Sequence, residues 1–83
     1  MLSKAQKIVI DELRHAEIYL WTNEGNSFRA WLGDSDGKEI KKVNLATAKS
    51  LERKGAIKFV DGDYREGIYK YTLTKNWLNK WGE

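Results

Sequence analysis

Residues 43–59 read VNLATAKSLERKGAIKF, and the way this stretch folds decides the architecture. Asn44 carries a side-chain oxygen that can accept from the free amide hydrogens at a helix start, and Gly55 is the residue best suited to the left-handed conformation that ends one. A helix is expected from Leu45 to about Lys54. At about 100° per residue, Asn44, Thr47, Ala48, Leu51 and Gly55 share an inner side, while Ala46, Lys49, Ser50 and Arg53 share an outer one. The outer side alternates small and basic residues, and Glu52 is the only acid of the helix. A strand from Ala56 to Val60 follows the glycine directly.

Downstream, DGDYREG (61–67) is a turn-rich tip and IYKYTLT (68–74) returns as a strand, which makes a second hairpin. The tail KNWLNKWGE (75–83) is amphipathic and expected to be a short helix. Upstream, Ser3 and Gln6 have the spacing of a capping box, and Ala5, Ile8, Val9 and Leu13 form an apolar stripe, so an N-terminal helix is expected from Ser3 to about Arg14. IYLWT (18–22), the turn NEGN (23–26) and SFRAWL (27–32) read as a β-hairpin. On a period of two, Ile18 and Leu20 face one way and Tyr19 and Trp21 the other, with Phe28, Ala30 and Leu32 opposed to Arg29 and Trp31. GDSDG (33–37) is a turn, and KEIKKV (38–43) is a polar strand or an irregular lead-in to the central helix.

The chain has 83 residues, 41% of them hydrophobic and 33% charged, which suits one globular domain over residues 1–83 with a thin core. It contains no cysteine and a single histidine, His15, read as a surface or helix-capping residue. Disulfides, thiolate metal sites and multi-histidine metal sites are therefore excluded, and no Ser/His/Asp constellation can be argued from one imidazole near a helix end. No metal or cofactor is expected, and no enzyme. The aspartates at 34–36 and 61–63 lack the glycine and the final carboxylate of a calcium loop and are read as turns. With no long apolar run, no membrane segment is expected, and a cytoplasmic location is the default.

Net charge is +3, and its distribution says more than its size. Residues 1–33 and 61–83 each sum to zero, whereas residues 38–60 hold Lys38, Lys41, Lys42, Lys49, Arg53, Lys54 and Lys58 against Glu39 and Glu52, a local excess of +5. A localised positive charge of this kind attracts phosphate, because counterion release drives the contact.

The order of helix, glycine stop, strand, charged loop and strand resembles the recognition helix and wing of the winged helix-turn-helix superfamily. The resemblance rests on NLATAKSLERKGAI, with Asn44, Thr47, Leu51, Lys54, Gly55 and Ile57, and on YKYTLT, with Tyr71, Leu73 and Thr74. SKAQKIVIDEL looks like the first helix of such domains. One departure stands out: a standard member has a separate second helix, whereas residues 16–43 read as a hairpin and a polar connection. The resemblance implies an α+β, winged-helix-like domain made of an N-terminal helix, a β-hairpin, a recognition-type helix, a two-stranded wing and a short C-terminal helix. It further implies non-catalytic binding of duplex DNA, in a small bacterial or phage regulator of transcription acting as a homodimer.

On that reading Lys49 and Arg53 contact bases or phosphates, Asn44 and Ser50 hydrogen-bond near the helix start, Thr47 can do either job, and Lys54 adds charge. Tyr64 and Arg65 reach DNA from the wing, with Lys58 and Lys70 on its strands, although Asp61, Asp63 and Glu66 in the same loop repel phosphate. Two other readings use the aromatic residues. Tyr19, Trp21 and Trp31, or the tail's Trp77 and Trp81, form a surface for a protein partner, or the hairpin aromatics stack single-stranded nucleic acid.

Overall fold

The computed structural model describes residues 2–75. Its elements run α1 (Lys4–Leu13), β1 (Tyr19–Asn23), β2 (Arg29–Gly33), β3 (Glu39–Val43), α2 (Leu45–Arg53), β4 (Ile57–Asp63) and β5 (Ile68–Leu73). The five strands form one antiparallel sheet in the order β3-β2-β1-β5-β4.

Both helices start and stop for local reasons that the sequence carries. The Ser3 hydroxyl accepts from the Gln6 amide, and the Gln6 side chain accepts from the Ser3 amide, closing the capping box of α1. The Asn44 side chain accepts from the Ala46 amide at 2.8 Å, and Gly55, at φ +74°, ends α2. Such caps are each worth about 1 kcal/mol.

The winged-helix-like arrangement expected from the sequence is not what forms. β1 lies between β2 and β5, pairing Leu20 with both Leu32 and Tyr71, so hairpin and wing are parts of one sheet, and residues 39–43 extend it by a fifth strand. The physical reason lies in the shared period of two. Leu20, Thr22, Ala30, Leu32, Tyr71, Leu73 and Ile57 all fall on one face, and a single continuous apolar face under α1 and α2 removes more surface from water than two separate hairpins would. The turn signals read in the sequence are local and say nothing about which strand pairs with which. The expected C-terminal helix, with Trp77 and Trp81, lies outside the described residues.

The core is built from Val9, Ile10 and Leu13 of α1, Ala48 and Leu51 of α2, and the helix-side residues of the sheet. Two smaller expectations shift. The buried stripe of α1 is Gln6, Val9, Ile10 and Leu13, one step round from the expected one, and Ile8 is 40% exposed. Phe28 does not join Ala30 and Leu32: it precedes β2 at φ +47° and is exposed.

Between Glu24 and Gly67 the tips of the two hairpins are knitted together. The Glu24 amide donates to the Gly67 carbonyl at 2.7 Å, and a Cβ on Gly25 would stand 2.3 Å from the Glu66 carbonyl oxygen. Only glycine allows this approach of two backbones.

Candidate nucleic-acid interface

Helix α2 leaves the β3 edge of the sheet and hands the chain to β4 at the other edge. It therefore crosses the sheet, and the seven cations of residues 38–60 do not form one patch. Lys38, Lys41 and Lys42 stand on or beside β3, Arg53 and Lys54 at the far end of α2, and Lys58 on β4. All six are exposed and form no ion pair with another described residue. Opposed residues in the register share a face, so Lys41, opposite Leu32, is on the helix side. Lys42, opposite Trp31, and Lys58, opposite Thr72, point to the other side.

Lys49 behaves differently from these six. Its ammonium donates to Glu24 Oε1 at 3.1 Å and lies 3.4 Å from Glu52 Oε1. The hydrogen bond to Glu24, with Glu52 adding attraction, holds its pKa above the ordinary lysine value. The charge is matched within the molecule, so Lys49 brings no free positive charge to the outer side of α2. Thr22 Oγ1 donates to the same Glu24 carboxylate at 3.3 Å, and the neighbouring Tyr71 phenol is pushed up by burial, with Glu52 and Glu24 adding to the shift.

Ser50 is also turned inward. Its hydroxyl donates to the Thr47 carbonyl at 2.7 Å and accepts from Gln6 Nε2 at 2.8 Å, which fastens α1 to α2. Asn44 is exposed but its oxygen is committed to capping, and Thr47 is half-buried. Of the expected contact residues on α2, Arg53 and Lys54 are exposed and have no ion pair with another described residue. Among the candidates on the sheet, Lys70 packs on the face away from the helices, its Nζ 4.2 Å from the Tyr19 ring centroid and 5.5 Å from that of Trp21. Tyr64 and Arg65 sit at the β4–β5 tip, where Asp63 Oδ1 accepts from the amides of Arg65 and Glu66.

The hairpin aromatics are more enclosed than a stacking platform requires. Trp21 and Trp31 stack at 6.3 Å between centroids and 7° between planes, and Trp31 is only 8% exposed. Trp21 Nε1 donates to the Asp34 carbonyl and Trp31 Nε1 to the Gly37 carbonyl, so the 34–38 turn folds over their polar edges. Arg29, ion-paired with Glu39, lies 4.9 Å over the Trp31 ring.

Two features escaped the sequence reading. Phe59, Tyr64 and Tyr69 form an aromatic cluster with buried Tyr71, at centroid separations of 5.6 to 6.3 Å. Phe59 is 45% and Tyr64 75% exposed. At the opposite edge, an apolar cleft of about 170 Å³ opens between α1, β3 and the start of α2, with Lys41, Lys42, Asn44 and Thr47 also in its lining. The signal for the cluster was the period-two placement of Phe59, Tyr69 and Tyr71. Nothing in the sequence outlines the cleft.

Among the described residues no helix is long and apolar enough to cross a membrane. No family model, curated protein or solved structure matches the chain.

Proposed function

We propose that the protein binds duplex nucleic acid without catalysis, through the outer side and ends of α2. The observation that carries this reading is the set of exposed cations with no ion pair to another described residue, Arg53 and Lys54 at the end of the helix and Lys41 on the helix side of β3, the strand that leads into it. A helix of nine residues is about 14 Å long, comparable with the roughly 12 Å width of a major groove. Cations on the strand before the helix and at the helix end suit contact with phosphates on either side of such a groove, and exposed Ala46 lets the helix backbone come close. Base contacts are few on this surface, so the affinity is largely electrostatic. Regulation of transcription is the setting in which such a module is of use.

The test is a salt titration of anisotropy with labelled random duplex and with single strands. Three phosphate contacts give a slope of log affinity against log salt of about −3. Replacing Arg53→Glu and Lys54→Glu together is expected to lower the slope by about two and to abolish most binding at low salt. Binding unchanged in that variant, with its circular dichroism intact, or equal affinity for single strands, overturns the proposal.

A further inference from the structure

In an Asp-Gly pair the side-chain carboxyl is open to attack by the next backbone amide, because glycine has no Cβ to hinder the approach. The chain holds two such pairs, Asp36–Gly37 and Asp61–Gly62. In sequence they are alike, but the fold treats them differently.

Gly37 is engaged elsewhere. Its amide donates to the Asp34 carbonyl at 3.1 Å, its carbonyl accepts from Trp31 Nε1 at 2.9 Å, and the position for its Cβ lies 3.5 Å from the Trp21 ring. The Asp36 amide is itself held by Asp34 Oδ1 at 2.9 Å. Attack on the Asp36 carboxyl therefore requires the turn over the tryptophans to open. At the other pair the Gly62 amide donates to Asp61 Oδ1 itself, at 2.8 Å, on the exposed surface of an edge strand. Amide and carboxyl start in contact, which is what a reaction driven by proximity needs. The register also slips between Phe59 and Asp61, and such a bulge interrupts the ladder beside the pair.

From this contrast we infer that Asp61–Gly62 is a site of spontaneous backbone modification, at which Asp61 converts to isoaspartate through a cyclic imide. The Gly62 nitrogen bonds to Asp61 Cγ, and the carboxyl hydroxyl leaves as water with the amide proton. Water then adds to one of the two ring carbonyls. Opening at Cγ restores aspartate. Opening at the backbone carbon leaves the main chain running through Cβ and Cγ, one carbon longer, with the former backbone carbonyl as a free carboxylate. Water is released and taken up again, and nothing is oxidised or reduced. The strand has no slack for the added carbon: a Cβ on Gly62 would already stand 2.6 Å from the Ile68 carbonyl oxygen, 3.0 Å from Tyr69 Cδ1 and 3.2 Å from Phe59 Cε1. The pairs Gly62–Tyr69 and Asp63–Ile68 are displaced by it, and the Tyr64 tip loosens.

The experiment is incubation of the chain in warm, mildly acidic heavy-oxygen water, folded and in urea. Peptide mapping with electron-transfer fragmentation then tells isoaspartate from aspartate. In urea the two sites are expected to react at similar rates. In the folded chain the Asp61 peptide is expected to gain heavy oxygen and isoaspartate several-fold faster than the Asp36 peptide. Asp61→Glu keeps the charge but is too long for the same ring, and is expected to lose the modification at this position and leave the rate at Asp36 unchanged. A folded chain in which Asp61 stays unmodified, or in which Asp36 reacts as fast, overturns the inference. So does a preference for Asp61 no greater in the folded chain than in urea, which traces it to local sequence alone. The readout is covalent and contains no nucleic acid, so it stands or falls apart from the duplex proposal.

Discussion

Two aromatic groups lie on opposite faces of this small sheet, and they have opposite characters. Trp21 and Trp31 are stacked in parallel, both indole N–H groups are matched to carbonyls of the 34–38 turn, and cationic side chains lie over their rings. Phe59, Tyr64 and Tyr69 meet at mixed angles near a bulged edge, and two of the three are heavily exposed. A count of aromatic residues makes the tryptophans look like the binding surface, since indole is enriched at interfaces. The comparison teaches that the polar edge is the better guide. A buried tryptophan needs a partner for its N–H, and here a five-residue turn supplies two. The tryptophans therefore act as structural ballast, and the aromatic surface left exposed is the tyrosine-rich tip.

The largest expected effect follows from that contrast. Trp31→Ala removes a side chain that is 8% exposed, its stack with Trp21 and its bond to Gly37, and is expected to cost about 3–5 kcal/mol. In a domain of this size that is a large share of the total stability. Tyr64→Ala, at 75% exposure, is expected to cost about 0.5–1 kcal/mol, the worth of its ring contacts. Urea midpoints at matched slopes measure both. Equal midpoints would remove the distinction between a structural and a free aromatic group.

What could be read from the sequence was what is decided locally. Ser3 with Gln6, Asn44 and Gly55 mark helix ends through neighbours within a few residues, and all four perform those roles. Period two correctly separated Leu20 from Trp21 and Ala30 from Trp31, but a face is not a partner. The pairing of β1 with β5 joins residues some fifty positions apart, and no turn residue announces it. The candidate site divides in the same way. Arg53 was legible from the helical wheel because exposure follows from periodicity. Lys49 and Ser50 were not, because what claims them is Glu24 and Gln6, on other elements.

The exposed group can be sharpened by asking what holds its tip in place. Gly67, at φ +72°, has a position for Cβ only 2.5 Å from the Gly25 amide nitrogen, where Gly55, at φ +74°, has open space. Alanine at either site is strained by the left-handed backbone, at about 1 kcal/mol. At Gly67 it also drives the two hairpin tips apart, so Gly67→Ala is expected to cost about 2–3 kcal/mol, with Gly55→Ala the smaller by half or more. Thermal melts of the two variants give the comparison directly. Equal losses would mean that the tips are not knitted, and that the exposed Tyr64 tip is loosely held.

The smallest effect tests the cover on the tryptophans. Asp34 Oδ1 accepts from the amides of Lys38 and Asp36, at 3.0 and 2.9 Å, and the Lys38 amide chiefly holds its pKa below the usual 3.8. A carboxylate with a depressed folded pKa stabilises the fold above its unfolded value. That contribution is lost as pH falls from about 4 through the lower folded value. Protonation removes an acceptor from the turn whose carbonyls hold Trp21 and Trp31, so the two indole N–H resonances are expected to shift together in that window. Asp34→Ala isolates this carboxylate: it is expected to show displaced indole signals already at neutral pH and no further acid step. Indole resonances that ignore both acid and the substitution would show that stacking alone, without the turn, keeps the tryptophans covered.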